Sequence, residues 1–221
     1  MMFQKILLLQ IKLAQIDLVL ALKIYYLVTL FYFFYKKCKS KFLLLILLLA
    51  VINTILTTVF VNYKISLAAI TNLYILVHDF LWLYMINKIV FENKYYVLPA
   101  VFLIYGLVNL FFAEGFDIFN SDTFIFGSFL YVLTLFYASY MHLKNENLAF
   151  FFQNTYLLFA APVMFFISYS LVFAFSNKTL NSTILFYGIS LFNLVNLFAN
   201  FIYYSLINLY IYRAHKITNE L

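Results

Sequence analysis

The chain has 221 residues, of which 67% are hydrophobic and 10% charged, with a formal net charge of +6. A soluble domain carries roughly 25% charged residues, so this composition excludes a water-soluble globule, and no stretch between the apolar runs is long enough for a separate catalytic domain. The positive balance reads as a positive-inside bias with affinity for anionic lipid headgroups rather than as a nucleic-acid surface, and a single cysteine, Cys38, excludes an internal disulfide or a thiolate metal cage.

Apolar runs of about 20 residues match the length of helix that crosses a ~30 Å hydrocarbon core. They predict an all-α integral membrane bundle of about seven transmembrane helices over 15–212. An interfacial segment, 1–14, precedes it and a cytoplasmic tail, 213–221, follows. The first segment is apolar but interrupted by Lys5, Gln10 and Lys12. It fits a helix lying among headgroups rather than a cleavable signal, because its apolar run is short and no A-x-A site follows. The spans are read as Gln15–Tyr35, Phe42–Val61, Leu67–Lys88, Val97–Phe112, Phe124–Leu143, Tyr156–Phe175 and Ile184–Tyr212. The last is long enough to tilt or to project past the bilayer.

Charge gives the expected orientation. Lys36, Lys37, Lys39, Lys41, Lys88, Lys94, Lys144, Arg213 and Lys216 share one side; Lys5, Lys12, Lys64 and Lys178 share the other, with Glu114, Asp117 and Asp122. The lysine-rich side is expected to be cytoplasmic, placing the N-terminus outside and the C-terminus inside a cell membrane. Spans one to three and five to seven also share a sparse pattern. Asn72 and Asp79 are seven apart in span three, as are Asn193 and Asn200 in span seven. A parallel repeat would produce this spacing.

Polar groups inside spans are the candidates for function, because each is costly in hydrocarbon. Asp79 lies near the middle of span three, on one helical stripe with Asn72, while His78 is expected about 100° away. That stripe could bind a cation or a proton; its structural alternative is an interhelical hydrogen bond from a protonated Asp79. Asp17 and Lys23 fall in span one, where Lys23 could pair with Asp79 or snorkel to an interface. In span seven, Ser190, Asn193, Asn196, Asn200, Tyr204 and Asn208 fall within an arc of about 120°. Such a stripe faces other helices or a wet cavity, as interhelical glue or as a solute path. Span seven has no lysine for a retinal Schiff base. The histidines lack metal-ligand spacing, and no metal site or cofactor is expected. Protease, hydrolase and nucleotide-binding motifs are missing from the sequence.

Three stretches carry a family likeness: Asn72-Leu-Tyr74-Ile-Leu-Val-His78-Asp79-Phe80, Pro162-Val-Met-Phe165-Phe-Ile-Ser168, and the asparagine-rich last span ending in Arg213-Ala-His-Lys216. Together they resemble small seven-span membrane proteins of unassigned activity that are common in Bacteroidota. Asp79 stands where that family often has Glu, and Phe165 or Phe166 where Trp is frequent. The resemblance covers most of the length and implies architecture, not activity. The functional expectation is a non-enzymatic sensor or accessory protein of the inner membrane. Its partners would be the lipid bilayer and a membrane or cytoplasmic protein at the basic inner face. The alternative is a small-solute or ion transporter using Asp79 and the span-seven stripe.

Overall fold

Every long apolar run is helical in the computed structural model, which describes residues 21–63, 65–91, 96–175, 182–186 and 189–219. The helices are α1 (Ala21–Tyr35 in its described part), α2 (Lys41–Asn62), α3 (Ala68–Val90), α4 (Val97–Val108), α5 (Ser121–Lys144), the single-turn α6 (Ala149–Phe152), α7 (Asn154–Ala174) and α8 (Leu191–Asn219). Five of these, α2, α3, α5, α7 and α8, are long and apolar enough to cross a membrane. Two shorter apolar helices accompany them, α1 and α4 with the turn that extends it to Ala113. The expected interfacial segment 1–14 and Asp17 lie outside the described residues.

Local chemistry sets the helix ends. Lys37 adopts a left-handed backbone at φ 48°. Its N–H and that of Cys38 close back on the carbonyls of Phe34 and Phe33 at 3.0 and 3.2 Å, stopping α1. Ser40 then caps α2 by accepting the Leu43 N–H at 3.4 Å. The α4 helix runs into a π-helical turn at Asn109–Ala113. There Asn109 donates to Glu114 Oε2 at 2.7 Å and to Thr123 Oγ1 at 2.9 Å, tying the turn to the start of α5. Pro162 removes one rung of the α7 hydrogen-bond ladder. In the same helix, the Phe159 carbonyl accepts the Tyr131 hydroxyl at 2.8 Å, tying α7 to α5.

One expected boundary is corrected. Span seven does not begin at Ile184, because Ile184–Phe186 and Ile189–Ser190 pair as a short antiparallel hairpin, β1 and β2. The sequence ILFYGIS is β-branched, aromatic and glycine-bearing, a poor helix start. The α8 helix begins at Leu191 and continues through Asn219, so Arg213–Lys216, in the expected tail, are helical.

The centre of the bundle is α3. Half of its apolar window is buried, against 17% for α2. Helices α2, α4 and α5 pack directly on it, and α7 lies between α5 and α8. On the outside, α1 is held to α8 by Tyr25 and Ser205 at 2.8 Å and by Asn208 donating to Thr29 at 3.1 Å. Small residues bring the backbones close. A Cβ at Gly127 of α5 would stand 2.7 Å from Phe102 Cε2 and 3.1 Å from Asp79 Oδ2. Between apolar helices in lipid, close packing and hydrogen bonds replace the hydrophobic drive.

Successive long helices alternate in direction, so the described basic residues other than Lys23 collect at one end. Lys88 lies over the Phe42 ring at 5.9 Å. Asn154, at the start of α7, donates to the Tyr210 carbonyl near the end of α8 at 3.1 Å. The opposite end carries Glu114 and Asp117 of the α4–α5 loop, Asp122 in the first turn of α5, and the hairpin.

Candidate functional site

Asp79 and His78 occupy the middle of α3, with 0% and 1% of their surface exposed. Contrary to the expected angular separation, the two adjacent side chains converge, His78 Nδ1 lying 2.8 Å from Asp79 Oδ1. Each is long enough to close across the helix surface, which backbone angle alone does not capture. Trp82, one turn on, donates Nε1–H to the Tyr203 hydroxyl at 2.9 Å, and that hydroxyl lies 3.4 Å from His78 Nε2. One proton arrangement gives each of these three contacts a donor and an acceptor. The indole can only donate, so Tyr203 accepts there and offers its own proton to Nε2. His78 then donates from Nδ1 to the carboxyl group. The chain Trp82, Tyr203, His78, Asp79 thus points every proton toward Asp79. The other carboxyl oxygen, Oδ2, has no hydrogen-bond partner among the described residues and faces the gap left by Gly127.

Asn72 shares a stripe with Asp79 but not a site. Seven residues separate them by about 10 Å along the helix. Asn72 donates to the Ile118 carbonyl at 2.8 Å and accepts from the Asn120 N–H at 2.9 Å, holding the α4–α5 loop. The structure does not bring Lys23 of span one to Asp79. Lys23 donates to Thr58 Oγ1 at 2.9 Å, one turn from the end of α2. It sits near the end of the bundle, where its ammonium has a short path out, and Asp79 is paired with His78 instead.

The span-seven stripe divides into separate tasks. Ser190 accepts the Asn193 N–H at 3.3 Å and so starts α8, with Asn193 half-buried in its first turn. Asn200 is buried and central. It accepts from Tyr26 at 3.1 Å and donates to Tyr169 at 3.0 Å and to Asn196 Oδ1 at 2.7 Å, while the Tyr169 hydroxyl also donates to Asn196. Tyr204 stacks obliquely on Tyr26, with ring centroids 4.6 Å apart.

These groups surround a cavity of about 190 Å³ that the sequence did not disclose. Tyr74 and His78 of α3, Tyr26 of α1, Asn53 of α2, Tyr169 of α7 and Asn200 of α8 all line it. It begins near Thr71, Phe119 and Phe173, toward the lysine-poor end, and reaches inward to His78 and Phe165. Beyond His78 the next layer is filled by Trp82, Tyr131, Phe166 and Tyr203, all essentially unexposed. Their rings pack on one another, Tyr131 with Phe166 at 4.9 Å and Trp82 with Tyr203 at 6.0 Å. The cavity therefore offers a ligand aromatic faces, hydroxyls, amides and one imidazole, and it stops midway through the bundle. Aromatic spacing along several helices was the sequence signal for it, masked by an overall content of 29 Phe and 20 Tyr. No family model, curated protein or solved structure matches this chain.

Proposed function

We propose that this chain is a multi-pass sensor of the inner membrane, which holds a small neutral ligand in its interior cavity and does not conduct solute. The observation that carries this reading is the blind end. A transporter or channel needs a route past the middle of the bilayer, and here the layer beyond His78 is close-packed rings. At about 190 Å³ the cavity exceeds the 150 Å³ that accommodates benzene in an engineered core and falls below the 300–1,000 Å³ of drug-sized sites. One aromatic ring with an amide or hydroxyl suits it. In this reading the signal leaves through the inner, lysine-rich face, and the reaction chemistry of an enzyme is not required.

The single tryptophan supplies the test. Trp82 is two hydrogen bonds from His78, which lines the cavity. Purified protein in lipid nanodiscs is titrated with benzamide while Trp82 emission is followed. The expected result is a saturable change that is lost in Ala50→Phe, which fills the cavity, while proteoliposomes show no proton or sodium flux above empty vesicles. Ion flux above that background, abolished by Asp79→Asn, would replace the sensor with the transporter.

A further inference from the structure

The loop between α1 and α2 and the last turns of α8 enclose a second cleft, of about 340 Å³, at the lysine-rich end. Lys36, Lys37, Lys39 and Ser40 line it from the loop, and Tyr210 and His215 from α8. Among the described residues no carboxylate lines it, and its three lysines give that wall a formal charge of +3. Lys36 is steered by Tyr32 and Tyr35, its ammonium lying 5.8 and 5.2 Å from their ring centres. The left-handed turn at Lys37 brings the loop back toward the α2 N-terminus, where Ser40 is the cap. Helix start, hydroxyl and lysines together favour an anionic oxygen group.

The flanks indicate how that group is attached. On the α1 side, Phe31, Phe34 and Tyr35 are 73%, 55% and 68% exposed; on the α8 side, Leu209 and Tyr212 are exposed as well. A soluble anion would find no use for these apolar tracks, whereas acyl chains would lie along them. We propose that this cleft is a discrete binding site for the phosphate of an anionic phospholipid, with its tails along α1 and α8. The site is separate from the aromatic cavity, and it stands or falls independently of the sensor reading.

Cys38, the only cysteine, lines the cleft and reports on it. Burial raises its thiol above the usual range, with a Ser40 backbone hydrogen bond acting in the opposite direction, so alkylation is measured at mildly alkaline pH. The reading is the ratio of N-ethylmaleimide rates in nanodiscs of phosphatidylcholine with and without phosphatidylglycerol. Taking the ratio within each variant cancels changes in the thiol itself. Phosphatidylglycerol is expected to protect Cys38 saturably. Lys37→Gln and Lys39→Gln should each weaken the protection roughly fivefold, while Lys144→Gln, at the same end but outside the cleft, leaves it intact. Both cleft lysines are exposed, and unchanged Trp82 emission shows that the variants are folded. Native mass spectrometry should find one phosphatidylglycerol retained per chain and lost in the Lys37→Gln, Lys39→Gln double variant. Equal loss in Lys144→Gln means diffuse surface attraction and overturns the site. Protection by inorganic phosphate in neutral lipid, without protection by phosphatidylglycerol, replaces the lipid with a soluble anion. No protection by either rejects the proposal.

Discussion

Asp79 shows how one buried group is made tolerable in an apolar bundle. Its Oδ1 receives His78, and Tyr203 and Trp82 complete the chain behind it. Leucine at this position would remove the acceptor and leave the His78 Nδ1–H buried without a partner. Orphaning such a donor costs about 1–3 kcal/mol, so Asp79→Leu is expected to lower unfolding stability by that amount. Asparagine keeps an oxygen where Oδ1 stands, and Asp79→Asn should cost less than about 1 kcal/mol. Thermal or denaturant unfolding in detergent, followed by Trp82 emission, ranks the two. A leucine variant as stable as the parent would show that the chain of hydrogen bonds holds nothing together. The central placement of Asp79 was legible in the sequence as an acid in the middle of an apolar span. Its partner was not, because helical angle places Cβ atoms and says little about where two side chains meet.

Elements were more legible than contacts, for a physical reason. The length of an apolar run is a property of the chain alone, and α2 and α3 end within about two residues of the expected limits. Where a boundary depends on local backbone chemistry the reading failed, as at the β1–β2 hairpin, where span seven was expected to begin. Which faces meet depends on all the helices at once. The Asn72–Asp79 stripe illustrates this, since one member clasps a loop and the other is bound within α3. Glycine positions are similarly silent until neighbours are known. Gly127 lets α5 approach both α4 and the Asp79 carboxyl group. Phe102 is fully buried and cannot give way freely. Gly127→Ala is therefore expected to cost about 1–3 kcal/mol, as overpacking does. Because the added methyl presses on Asp79, the variant should also shift Trp82 emission through Tyr203. Parent-like stability with unshifted emission would place Gly127 outside the supporting structure of the site.

At the scale of the molecule, the two clefts lie at opposite ends of one bundle, and their accessibility depends on how many helices cross. Among the described residues five helices have full crossing length. The described part of α1 spans about 22 Å and Val97–Ala113 about 25 Å, both short of a ~30 Å core. For α4 the deficit is small enough for local thinning of the bilayer to absorb. The neighbouring charges also favour a crossing. Lys88 stands before it and Glu114, Asp117 and Asp122 after it, the asymmetry that places the first end inside and the second outside. Three reporter positions separate the possibilities: the 36–40 loop, the 113–123 loop and the C-terminus. The expected pattern is inside, outside, inside. Helices α2, α3 and α4 separate the first two positions, so if both report the same side, α4 lies along the interface and the bundle has one crossing fewer. Helices α5, α7 and α8 separate the last two, and agreement there would mean that one of these long helices fails to cross. An outside, inside, outside pattern would keep every crossing but invert the bundle. The aromatic cavity would then face the cytoplasm, and the ligand sensed there would be a metabolite of the cell rather than a molecule of its surroundings.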